Sequence, residues 1–160
     1  MKKAELTQRY SSKYTSINKR RPRIYSIIPE AVISSGTVID YGCGRYFDLY
    51  ELPETVTGYD KYWRDDPQVL DRSYDVAICS NVLNVIEEDT IRAFIISELR
   101  RLAPVAYITV YDGSRTGTGA ASGEDSFQLN RKLSGYVSEI ENIYGAGHVR
   151  ISKGMIIATR

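Results

Sequence analysis

A chain of 160 residues with 42% hydrophobic and 26% charged side chains suits one soluble domain with a single sizeable core. No apolar run approaches the ~20 residues of a membrane span, and the basic N-terminus lacks a secretory signal's apolar stretch, so a cytoplasmic protein is expected. Two cysteines, Cys43 and Cys79, and one histidine, His148, make no Cys/His zinc set, while the net charge of +1 hides an asymmetry along the chain.

The asymmetry lies at the start. Residues 1–23 carry eight basic side chains against Glu5 alone, a net +7, leaving −6 on residues 24–160. A basic arm on an acidic body suits phosphate groups; a frayed solubilising tail accounts for it equally well. Tyr10, Tyr14 and Ile17 are its large apolar anchors, and residues 1–19 read as irregular or as one short helix. Ile24, Ile27, Ile28, Ala31 and Val32 follow at helical spacing, with Pro29 splitting or restarting the helix. A β-rich run at 37–41 then breaks into Gly42-Cys43-Gly44, with only a short helix before Pro53. Residues 56–60 read as a second strand and 74–79 as the next clear one. Too few residues separate them for a full helix–strand–helix, so the third strand must be abbreviated.

Beyond Ser80 the chain turns, and Glu87, Glu88 and Asp89 open a helix whose buried face is Ile91, Phe94, Ile95, Leu99 and Leu102. Pro104 ends it, and 105–110 form a strand. Residues 112–125 are Gly/Ser/Thr-rich and read as a long flexible loop. A helix with Tyr136, Val137, Ile140, Ile143 and Tyr144 on one face comes next. Strands at 148–151 and 155–159 close the chain as a β-hairpin. The expected architecture is therefore α/β, a three-layer, mostly parallel sheet ending in an antiparallel hairpin. Residues 1–23 form an arm or lid and 24–160 a single domain.

The chemistry gathers at one strand end. Glycine lets a backbone turn sharply or lie against a ligand, and a strand feeding such a turn is the nucleoside site of an α/β sheet. Asp60 closes the second strand 20 residues after Asp40, a spacing at which a carboxylate can accept from both hydroxyls of a ribose. A dinucleotide fingerprint needs a third glycine at position 47, which is Phe47. Asp40-Tyr41-Gly42-Cys43-Gly44 instead resembles the first motif of class I (Rossmann-like) S-adenosylmethionine-dependent methyltransferases, with Tyr46 where these enzymes usually carry a further glycine. The stretch from Tyr74 to Ile86 resembles their fourth-strand motif, and the C-terminal hairpin suits them. The Asp112-Gly113 loop, Phe127-Gln128 with Asn130, and Tyr136-Val137 are similar to small methyltransferases of phage and mobile-element type.

That resemblance implies S-adenosyl-L-methionine as cofactor and assigns roles. Gly42, Cys43 and Gly44 would lie along its methionine tail, Asp40 would anchor the ammonium, and Asp60 the ribose. Tyr59, Lys61 or Tyr62 would flank the adenine, with Asp65, Asp66 or Asp71 as candidates for its amino group or as solvated loop charges. The strand end at Cys79 and Ser80 would line the methionine side. Asn81 and Asn84 sit where an acceptor would approach, or cap the next helix. Phe127 would stack on a planar acceptor while Gln128 and Asn130 read its edge, or would form a hydrophobic staple with loop hydrogen bonds. Cys79 reads as strand filler and His148 as structural. The Asn/Asp-Pro-Pro-aromatic motif of amino-methylating DNA enzymes is absent, position 83 being Leu83 and 84 Asn84.

Three functions follow. The first is a methyltransferase on nucleic acid or a nucleotide-like acceptor, bound through the basic arm. The second acts on a small molecule or protein, with the arm as a lid and Tyr14 touching the cofactor. The third is a cofactor-binding module without transferase activity. No membrane or metal partner is expected.

Overall fold

The computed structural model describes residues 7–16 and 18–160. Its centre is a six-stranded sheet built from β1 (Val38–Tyr41), β2 (Val56–Tyr59), β3 (Val76–Ser80), β4 (Val105–Thr109), β7 (Val149–Ser152) and β8 (Met155–Thr159). The spatial order is β2-β1-β3-β4-β8-β7. The pairs β2–β1, β1–β3 and β3–β4 are parallel; β4–β8 and β8–β7 are antiparallel. The chain leaves β1 for a neighbour on one side and β2 for the other, so the order reverses at β1. Ligands of such sheets sit in the crevice outside the carboxyl ends at that reversal.

Helical segments cover both faces. On one, α1 (Ile24–Ile27) and α2 (Glu30–Ser34), split at Pro29, bury Ile24, Tyr25, Ile28 and Ile33 against Val38, Val56, Val76 and Ile78. On the other, α3 (Asp89–Leu102) and α4 (Val137–Tyr144) form the larger core. Burying Ile91, Ile95, Ile96, Leu99 and Leu102 holds α3 to the sheet, at about 1.5–3 kcal/mol for each side chain. Arg92 is 3% exposed yet makes four hydrogen bonds. Its Nε and Nη2 donate to Glu139 at 2.8 and 2.9 Å, and Nη1 donates to the carbonyls of Ile86 and Glu87 at 2.9 and 2.8 Å. This pair clamps α3 to α4 and fixes the loop before α3, which walls the site.

Two expectations change and one is narrowed. The third strand is reduced to nothing: Pro67–Asp71 is a 3-10 turn whose cap Asp66 accepts from the Gln68 N–H, and the strand expected as fourth is β3. Residues 112–125 are not a long open loop throughout, because an exposed β5 (Ala120–Gly123) pairs with β6 (Ser126–Gln128) as a hairpin. Asn130 ties the preceding turn, its Oδ1 accepting from the Ser114 N–H and its Nδ2 donating to the Thr118 carbonyl. The described arm residues form no helix, and Lys2, Lys3, Glu5 and Ile17 lie outside the described residues.

Candidate active site

A crevice of ≈ 320 Å³ opens at the carboxyl ends of β1, β2 and β3. That volume falls in the range of small-molecule sites, about 300–1,000 Å³. Its floor is the glycine turn. Gly42 and Gly44 adopt φ of +78° and +75°, where side chains are strained. A Cβ on Gly42 would collide with Val82, and one on Gly44 with Ser16 of the arm. The turn is pinned to β2, since the Gly42 and Cys43 N–H groups both donate to the Tyr59 carbonyl at 2.7 and 3.1 Å.

Asp60 joins the turn to the loop after β2. Its Oδ2 accepts from the Gly44 N–H at 3.0 Å, and its Oδ1 from the N–H groups of Tyr62 and Trp63 at 2.9 and 3.1 Å. A carboxylate has about four acceptor positions, so three are used. Asp60 is left with about one for a ligand hydroxyl, where the sequence suggests a grip on two.

Asp40 is 1% exposed and lines the crevice. The Tyr25 hydroxyl donates to its Oδ2 at 2.5 Å, while Oδ1 is buried without a hydrogen-bond partner. Burial pushes its carboxyl up to about 7; the Tyr25 hydrogen bond opposes this and the nearby Asp60 charge adds to it. A buried acceptor with no donor costs free energy, and Oδ1 is left able to accept from a further donor, most strongly from a charged one. Burial, with the charges of Asp40 and Asp60, also raises the Cys43 thiol, which rules it out as a thiolate at neutral pH.

Val82, Val85, Ile86, Ile91, Phe94 and Ile95 form an apolar wall of the crevice, which Tyr59, Tyr62 and Trp63 also line. The arm roofs the crevice. The Arg9 N–H donates to Glu88 at 2.7 Å, the Ser11 N–H to Asp125 at 3.1 Å, and Lys61 Nζ to Gln8 at 3.1 Å. Trp63 Nε1 donates to the Lys13 carbonyl at 2.9 Å, and Ser12, Thr15 and Ser16 line the cavity.

Asp40, Gly42, Cys43, Gly44, Tyr59, Asp60, Lys61, Ser80 and Asn81 are thus brought together on one crevice. Ser80 shares a 3.0 Å hydrogen bond with Thr109, and Asn81, at φ +57°, donates its N–H to the Thr109 carbonyl at 2.9 Å. Other candidates lie elsewhere. Cys79 is wholly buried in the sheet. Tyr14 stands outside the crevice wall, 61% exposed, edge-on to Trp63 at 5.9 Å. Phe127 is covered by Tyr10, with stacked rings 5.3 Å apart, and offers no free face to an acceptor. Asn84 donates to Gln128 at 3.1 Å, and Gln128 in turn to the Tyr111 carbonyl at 2.9 Å, so this pair ties β6 to the loop after β3. Asp65, Asp66 and Asp71 line no part of the crevice, because no strand carries them to it. His148 Nδ1 lies 3.0 Å from the Thr159 carbonyl within the hairpin.

Trp63, Tyr25 and the arm's hydroxyl residues enter the site without having been singled out as cofactor contacts. Trp63 follows Asp60 by three positions, which is a usable signal. Tyr25 reads as one more apolar residue on a helix face, and only the fold reveals its partner.

A scan against protein-family models finds no match, and neither does a search of curated proteins. Among solved structures the chain is similar to magnesium protoporphyrin IX methyltransferase (ChlM) from Synechocystis PCC 6803 with bound SAM. The TM-score is 0.52 at 16% identity, over 86% of this chain and 76% of that one. At 12% identity it also matches an S-adenosylmethionine-dependent methyltransferase from Mesorhizobium loti, with TM-score 0.49 over 89% of this chain and 98% of that one. A further match, also at 12% identity, is the N-terminal domain of EvdMO1 in the presence of SAH and D-fucose, with TM-score 0.47 over 80% and 78%. The fold is the Rossmann-like one of S-adenosylmethionine-dependent methyltransferases.

Proposed function

We propose that this chain is an S-adenosylmethionine-dependent methyltransferase of the small phage and mobile-element type, acting on nucleic acid or a nucleotide-like acceptor. One observation carries the cofactor reading: a buried, partnerless Asp40 Oδ1 shares a crevice with a glycine turn and Asp60 at the sheet's reversal point. The residues fit the group. Asp40 Oδ1 would take the ammonium, the bare backbone at Gly42 and Gly44 the methionine tail, and Asp60 a ribose hydroxyl. The slot between Tyr62 and the apolar wall would hold the adenine.

When bound, the cofactor supplies a methyl group already activated by its sulfonium. The chain's task is then to exclude water and hold the acceptor in line, which requires no strong base. Asn81, exposed on the crevice lining, is the polar side chain placed to orient an acceptor. The basic arm supports a nucleic-acid acceptor.

A second reading, a small-molecule acceptor beneath the arm as a lid, is favoured by the arm's position across the crevice. Calorimetry with S-adenosylmethionine and S-adenosylhomocysteine tests the cofactor. Transfer of a radiolabelled methyl into the nucleic-acid, protein and small-molecule fractions of a cell extract separates the acceptors. Label confined to the small-molecule fraction would overturn the nucleic-acid reading. Cofactor binding without label in any fraction would leave a binding module.

A further inference from the structure

At the mouth of the crevice, aromatic rings and cations alternate along one rim. Lys13 Nζ lies 5.4 Å from the Tyr14 ring centre and 5.3 Å from that of Trp63. The Arg45 guanidinium lies 4.5 Å from the Tyr46 ring and 5.7 Å from Trp63. Lys19 reaches Tyr46 at 6.0 Å. Tyr14 and Trp63 are 61% and 37% exposed, among the large apolar side chains left open to solvent. Arg9, Arg64, Arg92, Arg101, Arg115 and Arg131 each pair with a carboxylate. Lys13, Lys19 and Arg45 pair with none among the described residues. They carry their charge beside the exposed rings of Tyr14 and Trp63 and the half-buried ring of Tyr46.

We propose that this rim binds single-stranded nucleic acid, with bases stacking on Trp63, Tyr46 and Tyr14 and phosphates meeting Lys13, Arg45 and Lys19. The inference rests on the nucleic-acid acceptor reading and specifies the form of the polymer. Alternating rings and cations are what an unpaired strand needs, since every base has a stacking face and every linkage a charge. A duplex hides its base faces and would use the cations alone, as would an acidic peptide. Cation–ring contacts at exposed sites are weak, and long side chains swing readily, so a phosphate can draw a cation aside and admit a base. Trp63 is held in place by its bond to the Lys13 carbonyl. Lys13 and Trp63 also line the crevice, so a strand stacked on Trp63 is delivered to its mouth.

Trp63 is the chain's only tryptophan, so its fluorescence reads stacking directly. The full chain is titrated with oligothymidylate of about 12 nucleotides, within the usual single-strand site sizes. S-adenosylhomocysteine binding is measured in parallel. The expected result is tryptophan quenching on oligonucleotide binding, weakening steeply with salt. R45Q should make the log K against log salt slope shallower by about 0.7, the value for one lost single-strand phosphate. Y46A should weaken binding at least about fivefold. Both substitutions lie outside the crevice lining and should leave S-adenosylhomocysteine affinity unchanged. No quenching at low salt, with S-adenosylhomocysteine still bound, would overturn the surface alone. A duplex or heparin binding as tightly as the single strand would also overturn it, leaving a charge effect. Quenching without any S-adenosylhomocysteine binding would support the surface and overturn the cofactor reading instead.

Discussion

Asp40→Asn is the most informative single change, because it removes a charge while keeping shape. In the folded chain the Asp40 carboxyl is pushed from its ordinary 3.8 up to about 7, first by burial and then by the Asp60 charge. A folded value above the unfolded one means that the native state holds the proton more tightly. Stability from this group is therefore greatest below about pH 4 and falls as pH rises towards 7, with the full penalty present above that. At 1.36 kcal/mol for each pKa unit, the penalty is at most about 4 kcal/mol. The amide of the variant does not titrate. Urea unfolding of both proteins, followed by circular dichroism, should show D40N gaining on the native chain between pH 4.5 and 8. The gain should approach that bound, with all other titrations cancelling in the difference. A difference constant with pH would refute the reasoning. The same group couples to the proposed cofactor. An ammonium at Oδ1 favours the ionised form, so binding near pH 6 should release a proton. The calorimetric enthalpy at pH 6 should then depend on buffer ionisation heat, and this dependence should be lost in D40N.

Asp60→Ala removes the acceptor of three backbone N–H groups as well as the proposed ribose contact. Cofactor binding should be lost in calorimetry, and undiminished affinity would remove that assignment. Gly42→Ala forces a side chain into positive φ and against Val82, and should cost about 1–3 kcal/mol in denaturant unfolding together with cofactor affinity. Arg92→Met removes the bidentate partner of Glu139, which keeps only its Arg131 contact, and the donor to the Ile86 and Glu87 carbonyls; the unfolding midpoint should fall by the equivalent of about 1.5–3 kcal/mol, and an unchanged midpoint would contradict the clamp.

The core of the site could be read without coordinates because its parts are near neighbours in the chain. Asp40, Gly42 and Gly44 occupy one strand end and its turn, and Asp60 ends the next strand, so parallel pairing alone brings them together. Helical and strand periodicity likewise placed α3, α4 and the closing hairpin. What stayed hidden depends on distant contacts. Nothing local marks Phe127 as covered by Tyr10, and Asn84 and Gln128 carry the side chains of an acceptor site while their amide N–H groups go to Gln128 and to the Tyr111 carbonyl. The β5 strand is Ala-Ala-Ser-Gly, small residues without strand propensity, so its stretch reads as a loop. Tyr25 and Ser16 reach the site only because α1 and the arm fold back onto the glycine turn.

The central claim is that one crevice at the reversal point receives the cofactor's amino-acid end at Asp40 and its sugar at Asp60. A crystal structure with S-adenosylhomocysteine tests it most directly. The account predicts the product's ammonium within hydrogen-bonding distance of Asp40 Oδ1 and a ribose hydroxyl on the free position of Asp60, beneath residues 12–16 of the arm. Product bound away from residues 42–44 and 60, with Asp40 Oδ1 still unpartnered, would contradict it.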